Sequence, residues 1–368
     1  MARGHQGKGA INLGGTPVGK LGEEGAVVED PSFASRVYNK GWFGTPLPGG
    51  GLSLELVEAM YLLETGRLEL SRDGERVDPE FLFRHAVSRE PAFETRYPVY
   101  ADLRRRGLTL KPFRPSPPDF VCYERGAVPS RSYPRYHVLA ISERAPFKLD
   151  SINKLVQRAS SVGRGLLVAL VDEEGDVTYY EAYLHQPSGE LGECSCPERG
   201  KALVLDERVL VFDRQLADAL KENHFGRPAG RAHQLSLIEA AHLLEKGLIE
   251  LFRADGGKKV GKAELRRMAR RRQKDFELRF RVYTTLRKQG LLPRTGFKYG
   301  THFRVYERDP DATHARYLIH CFPAGYVGTW PEISRAVRVA HGVKKEILFA
   351  RVGSGSELDY VLFKRVRP

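Results

Sequence analysis

Apolar positions along the chain fall into two kinds of run, and the two kinds follow one another twice in the same order. Phe93, Tyr97, Tyr100 and Leu103 recur at i, i+4, i+7 and i+10, one face of a helix. Phe276, Phe280, Tyr283 and Leu286 keep the same spacing further on. Each helix is expected to stop at a glycine, Gly107 or Gly290, the residue suited to a left-handed C-terminal cap. Short β-rich runs follow: DFVCYE, YHVLAI, GLLVALV and VTYYEAYL in the first half, HFRVYE, RYLIHCF, EILFARV and LDYVLFKRV in the second. Between the second and third run of each set lies a helical stretch, SINKLVQRASS or WPEISRAVRVAHG.

The two halves also align residue by residue. LELVEAMYLLETGRLEL (54–70) and LSLIEAAHLLEKGLIEL (235–251) are identical at 10 of 17 positions, at an offset of 181. YPVYADLRRRGL (97–108) falls on FRVYTTLRKQGL (280–291) at 183, and the same offset sets Phe120, Tyr123, Glu124 and Arg125 on Phe303, Tyr306, Glu307 and Arg308. RYHVLAI matches RYLIHCF, and VGRGLLVALV matches VKKEILFARV, back at 181. Copies this long indicate a duplicated domain rather than a solenoid of short units. The expected fold is α+β, with each repeat an N-terminal α/β subdomain holding a helical hairpin followed by a mixed-sheet subdomain. The expected boundaries are 1–185 for the first repeat (dividing near 90), 186–200 for a Gly/Pro/Ser/Glu-rich linker, and 201–368 for the second (dividing near 273).

Composition narrows the partners. The 368 residues carry 59 Lys+Arg against 46 Asp+Glu, a formal charge of +13, which favours a polyanion and nucleic acid first. A hydrophobic content of 41% is enough for real cores and rules out a wholly disordered chain. No run approaches the ~18 apolar residues of a membrane span, and the start has no apolar signal region, so no membrane partner is expected. Four cysteines suit a reducing cytoplasm better than a disulfide scaffold.

Duplicated halves share structural positions, so their differences carry the information. The second half has Tyr306 in a strand, His314 in the loop after it and Lys345 at the start of a later strand. The first half has Tyr123, roughly Tyr133, and Arg164 in those columns. Tyr, His and Lys together suit RNA cleavage by its own 2′-hydroxyl: one group takes the 2′-OH proton, one protonates the leaving 5′-oxygen, and a cation neutralises charge on phosphorus. His can supply a proton near neutrality and Lys stays positive. Tyr is a poor base unless a cation such as Lys345 lowers its pKa. Taken alone, a core Tyr, a surface His and a surface Lys is the more ordinary reading of such a set.

The run from Gly290 to Ala350, RTGFKYGTHFRVYERDPDATHARYLIHCF followed by RAVRVAHGVKKEILFA, resembles the catalytic domain of archaeal tRNA-splicing endonucleases, the tRNA-intron endonuclease family. LSLIEAAHLLEKGLIEL, with VLVFD before it, resembles the family's N-terminal domain, so the resemblance covers essentially both halves. It implies a tRNA-intron lyase that cuts precursor tRNA at bulge–helix–bulge junctions, leaving 2′,3′-cyclic phosphate and 5′-hydroxyl ends, without metal or small-molecule cofactor. Carried over by residue, it implies Tyr306 as general base, His314 as general acid and Lys345 as transition-state stabiliser. Arg338 falls where the family stacks a guanidinium on a flipped-out base. One departure is visible: His302 precedes Phe303 where the family usually has an acid, as the first half does in Asp119.

The resemblance also implies a fused, homodimeric form, with one catalytic repeat and one degenerate repeat whose acidic loop docks into a basic pocket of the other protomer. VDEEGDVTYY supplies Asp172, Glu173, Glu174 and Asp176, and the second half has VGSGSELDYV in that place. By itself such a turn reads as a solvated hairpin. A metal site from His302, His314, His320, His341 and Cys321 is disfavoured by irregular spacing, and Cys194 and Cys196 are too sparse for one. PGGG (48–51) lacks the GK[ST] of a phosphate loop and reads as a hinge. KKVGKAELRRMARRRQK (258–274) has nine Lys/Arg among 17 residues, fitting either a solvated helix face or a grip on tRNA phosphates. Two rivals remain: a non-catalytic RNA-binding or assembly subunit, which would lack the triad, and a DNA nuclease, which would need paired carboxylates and Mg²⁺.

Overall fold

In a computed structural model, described over residues 16–192 and 199–368, the periodic runs become the expected elements. Cys194, Cys196 and the rest of 193–198 in the expected linker lie outside the described residues. The first repeat begins with β1 (Val18–Leu21), β2 (Gly25–Val28), α1 (Pro31–Asn39), β3 (Thr45–Pro46), β4 (Leu52–Glu55), α2 (Leu56–Glu64), β5 (Glu69–Arg72), β6 (Glu75–Val77) and α3 (Pro79–Arg89). It continues with α4 (Phe93–Arg105), β7 (Thr109–Pro112), β8 (Phe120–Tyr123), β9 (Tyr136–Ser142), β10 (Pro146–Lys148), α5 (Leu149–Ser160), β11 (Gly165–Val171) and β12 (Val177–Leu184).

The second repeat retraces this order. It runs β13 (Gly200–Val204), β14 (Arg208–Val211), α6 (Arg214–Glu222), β15 (Arg227–Ala229), β16 (Ala232–Ser236), α7 (Leu237–Glu245), β17 (Ile249–Arg253), β18 (Lys259–Val260) and α8 (Lys262–Arg272). Then come α9 (Phe276–Lys288), β19 (Leu292–Thr295), β20 (Phe303–Tyr306), β21 (Tyr317–Pro323), β22 (Val327–Thr329), α10 (Trp330–Gly342), β23 (Glu346–Val352) and β24 (Leu358–Val366).

The N-terminal sheets have the same strand order, β3-β4-β2-β1-β5-β6 and β15-β16-β14-β13-β17-β18. The C-terminal strands also correspond, β7-β8-β9-β11-β12 and β19-β20-β21-β23-β24. In each, the third and fourth strands of that order are parallel and joined by the crossover helix, the connection a parallel pair requires. The structure thus confirms the α+β tandem duplication. The N-terminal sheets were not read from sequence, because strands of two to five residues are too short to show a period.

Local chemistry sets the element ends alike in both copies. Glu58 and Glu239 close capping boxes on α2 and α7. Each then spends its other oxygen on a glycine amide, Gly44 at 2.8 Å and Gly226 at 2.9 Å, so neither buried carboxylate is left unpaired. Gly107 and Gly290 take φ of +84° and +74° just past their helices, as the capping argument requires.

The chain divides into two compact units, Met1–Ala145 with Ser161–Tyr180 and Val366–Pro368, and Pro146–Ser160 with Glu181–Arg365. The crossover helix of the first repeat, α5, thus belongs to the second unit. There Asp150 pairs with Arg351, Asn153 donates to Asp359 at 3.0 Å, and Phe147 packs edge-on against Trp330. Among the described residues no helix is long and apolar enough to cross a membrane.

Candidate active site

Three neighbouring strands of the second unit bring the sequence candidates to one end of their sheet. Val305 faces Tyr317 across the antiparallel β20–β21 pair, and Tyr317 faces Glu346 across the parallel β21–β23 pair. Tyr306 therefore ends β20, His314 lies three residues before β21, and Lys345 lies one residue before β23. With strands about 4.8 Å apart, this register sets all three backbones at one sheet edge.

Each residue is held differently. Asp309 shapes the loop before His314: its carboxylate accepts from the Asp311 amide at 2.9 Å and its carbonyl from Thr313 Oγ1 at 2.9 Å. His314 is exposed at the end of that loop, while Ala315 after it is buried. Lys345 Nζ donates to the Ala315 carbonyl at 2.8 Å, which carries the ammonium to the residue next to His314. The turn into Lys345 passes through Lys344 at φ +54°, where the first repeat has Gly163 at +69°. A left-handed lysine costs about 1–2 kcal/mol, strain located directly beside a candidate catalytic residue. Arg338 is exposed on the last turns of α10, the helix that runs into this turn.

Two arginines that the sequence did not single out complete the edge. Arg304, two residues before Tyr306 and so on the same strand face, places its guanidinium 5.8 Å from the Tyr306 ring centroid. Arg316 bonds Glu307 at 2.9 Å and Glu346 at 3.1 Å, the residues next to Tyr306 and Lys345. It ties the ends of all three strands together. Arg304 was within reach of a strand-alternation argument, but the partners of Arg316 come from three separate segments and had no sequence signal.

At the opposite end of β20, the unusual His302 is explained. Its Nδ1 accepts from the Cys321 amide at 2.8 Å, and Nε2 faces Asp275 Oδ2 at 3.3 Å. Asp275 accepts from Arg279 Nε at 2.6 Å. Burial, and then the Arg279 charge, lower the His302 pKa to about 4, so the ring is neutral near pH 7 and bridges as acceptor at one nitrogen and donor at the other. In the first repeat the matching Ala140 amide donates to Asp119 Oδ2 at 2.9 Å, and the matching Arg96 meets Asp119 Oδ1 at 3.3 Å. Ala92 stands where the second repeat has Asp275. The carboxylate has moved from just before the strand to the N-cap of the helix, and His302 fills the gap.

This exchange belongs to a wider one. A cleft of about 560 Å³ beside Tyr306 is lined by Arg227, Arg279, Arg294 and Arg304, by Glu207, Glu239 and Asp311, and by Ser236, Gln273 and His302. The corresponding cleft of the first repeat has Glu55, Glu90 and Asp119 at the positions of those last three, and an acid, Glu24, where the second has Glu207. Three carboxylates have become neutral groups where Tyr306 opens to solvent. The first repeat also lacks the rest of the set: Tyr133 is fully exposed on its loop, and Arg164 donates to His137 Nε2 at 2.9 Å instead of reaching a loop carbonyl. Tyr123 keeps its strand position, with burial raising its pKa against the opposing pull of Arg164.

The acidic turn is ordered from within. Asp172 Oδ1 accepts from the Glu174 and Asp176 amides at 3.1 and 2.9 Å, and Glu173 pairs with Arg144. Glu174 and Asp176 are exposed and carry no ion pair among the described residues. Of the histidines weighed as metal ligands, His302 and His320 stack edge-on at 5.5 Å, and the two ring nitrogens of His302 are both engaged. Among the described residues no three His, Cys, Asp or Glu side chains are grouped to hold a metal ion.

Comparison with known proteins places this geometry. The model of the tRNA intron endonuclease catalytic C-terminal domain matches residues 93–179 and again 276–360. The model of the tRNA intron endonuclease N-terminal domain matches 18–83 and 200–266. Similar over nearly their whole length are proteins named tRNA-splicing endonuclease from Methanococcoides burtonii (36% identical, 93% of this chain and 97% of the relative) and Methanosarcina mazei (36%, 93% and 96%). That of Natronomonas pharaonis is 33% identical, covering 94% of this chain and 98% of the relative.

Proposed function

The chain belongs to the tRNA intron endonuclease family, in a form that carries both of its domains twice, and from that premise we propose that it is a tRNA-splicing endonuclease with one active site, in the second repeat. The observation that carries this reading is the convergence of Tyr306, His314 and Lys345 on one sheet edge, in the repeat whose adjoining cleft has lost three carboxylates.

In the proposed reaction Tyr306, beside the Arg304 guanidinium, accepts the proton of the 2′-hydroxyl as that oxygen bonds to phosphorus. The bond from phosphorus to the 5′-oxygen breaks, and His314 gives that oxygen a proton. Lys345, fixed by the Ala315 carbonyl, offsets the charge on the non-bridging oxygens. The products are a 2′,3′-cyclic phosphate and a 5′-hydroxyl, and all three catalytic tasks fall to protein groups. Arg338 stacks on a bulge base, so that bulge–helix–bulge shape selects the site. Two protomers associate through the acidic turn Asp172–Asp176 and a basic cleft of the partner, which sets two active sites on one precursor.

The deciding experiment incubates the protein with a minimal bulge–helix–bulge RNA in excess EDTA and analyses the ends. Cyclic phosphate and 5′-hydroxyl termini are expected. A chemical step that requires Mg²⁺, or 5′-phosphate ends, would overturn the mechanism.

A further inference from the structure

The second unit has another basic surface, at the far end of the sheet from the triad, and the first repeat provides an internal control for it. α8 buries Leu265 and Ala269. At 100° per residue, Arg267 and Arg271 lie on the opposite side of the helix, Lys274 follows two residues after its end, and all three are exposed. Arg266, Arg270 and Arg272 have partners in Glu245, Glu277 and Asp206, whereas Arg267, Arg271 and Lys274 have no ion-pair partner among the described residues.

Beside α8 opens a cleft of about 730 Å³, walled by Arg266, Arg281, Lys288, Thr284 and the Gly353–Ser354 turn. Its one acidic wall residue, Glu277, is held by Arg266 at 3.3 Å. Pro323 and Val352 in its lining are the last residues of β21 and β23, whereas His314 and Lys345 lie just before the first residues of the same strands. Seven residues of strand separate the two places by about 20 Å.

The matching cleft of the first repeat, about 590 Å³, is lined by Glu94, Glu143, Asp172 and Glu173, and Arg144 there is tied to Glu173. Phe83 stands at the position of Arg266 and Pro98 at that of Arg281. α3, the counterpart of α8, has exposed Phe83 and Val87 at the positions of Arg266 and Arg270, and Ser88 and Pro91 stand where the second repeat has Arg271 and Lys274; Arg84, at the position of Arg267, is paired with Glu80. The same frame folds with either lining, so folding does not require the cations.

We propose that this cleft and the exposed Arg267, Arg271 and Lys274 form a second RNA-phosphate site, which holds the body of the precursor tRNA away from the cut. The proposal rests on precursor tRNA being the substrate and adds a contact that a short junction RNA cannot reach. Guanidinium forks suit phosphate oxygens, and the site's distance from the triad excludes the scissile strand.

The test compares the triple variant Arg267→Gln, Arg271→Gln, Lys274→Gln with the unaltered protein, on whole precursor tRNA and on a minimal junction RNA, over a range of salt. For the whole precursor, the plot of log affinity against log salt is expected to become shallower by about 2–3, since each lost phosphate contact removes about 0.7–0.9. Binding and cleavage of the minimal RNA are expected to stay as they were. An unchanged slope overturns the site, and so does an equal loss on both RNAs. A shift in oligomeric mass with RNA affinity intact would assign the surface to a partner's acidic turn and overturn it too. If the triple variant fails to fold, the exposed Lys288→Gln in the cleft wall decides by the same readout, with a slope change near 1. Absence of cleavage by the unaltered protein would fall on the catalytic reading alone, because the slopes are binding data.

Discussion

The two repeats share strand order, crossover helices and capping glutamates, yet differ at several polar positions where the second could meet a polyanion. At the start of the strand bearing Tyr306, an arginine, a carboxylate and a strand amide are linked in both copies. In the first repeat the carboxylate is Asp119, just before the strand. In the second it is Asp275 at the N-cap of α9, and neutral His302 takes its place. The lesson is that the fold needs the link but not the location of its charge. Moving the carboxylate keeps the corner tied while taking that one negative charge out of the lining of the cleft where Tyr306 lies.

The sharpest way to break the comparison is to remove what only the second repeat has. His314→Ala is expected to lower cleavage by roughly 10²–10⁴-fold with RNA affinity largely intact, by single-turnover kinetics and a binding titration. Unchanged turnover would remove the general acid. The reverse contrast is the acidic turn, which only the first repeat has. Replacing Asp172, Glu173, Glu174 and Asp176 by Ser is expected to weaken the dimer by roughly tenfold or more, read by light scattering against concentration. A dimer of unaltered affinity ends the docking idea.

The relocated carboxylate can be moved back. His302→Asp alone sets a second carboxylate against Asp275 and is expected to cost roughly 1–3 kcal/mol in urea unfolding. Adding Asp275→Ala recreates the first repeat's arrangement and is expected to recover most of that loss. Failure of the double variant to recover would show that the two corners are not equivalent. The double variant also changes the response to pH. The folded His302 pKa, about 4, lies below its ordinary 6.5, so between those values the unfolded chain binds a proton that the folded one does not. Stability is therefore full above about pH 6.5 and falls as pH drops towards 4, by at most roughly 3 kcal/mol from this residue. Without His302 that part of the slope is expected to vanish.

The smallest expected effect on stability, and the most specific on rate, is at Arg316. Its side chain is 48% exposed, so Arg316→Gln is expected to change unfolding free energy by less than about 1 kcal/mol. Loosening the ends of three strands is expected to lower kcat by about tenfold with KM little changed. The matching Arg135 pairs with Glu124, and Gly165 stands where the second repeat has Glu346. Arg135→Gln is expected to leave the rate unaltered.

Much of the fold was legible because the C-terminal elements are long and periodic. The helix face Phe93–Leu103, the seven-residue parallel strands and the glycine stops all appear where their patterns place them. The N-terminal strands were not legible, since their residues alternate over too few positions. At the site, the candidates Tyr306, His314 and Lys345 came from comparing columns of two halves, and a shared register then brings their backbones together.

By itself, the sequence determined that the chain is one domain pair written twice and that the copies diverged in charge and in their Tyr/His/Lys set. Those are statements about the order of residues, which alignment of the halves exposes directly. Only the tertiary structure decided what the divergence accomplishes. The Asp275–His302–Arg279 link, the Arg316 strut and the two clefts of reversed charge each join side chains from segments that are distant in sequence. No periodicity records such meetings, because the strand register and the packing of helix on sheet, rather than local spacing, set which side chains share a wall.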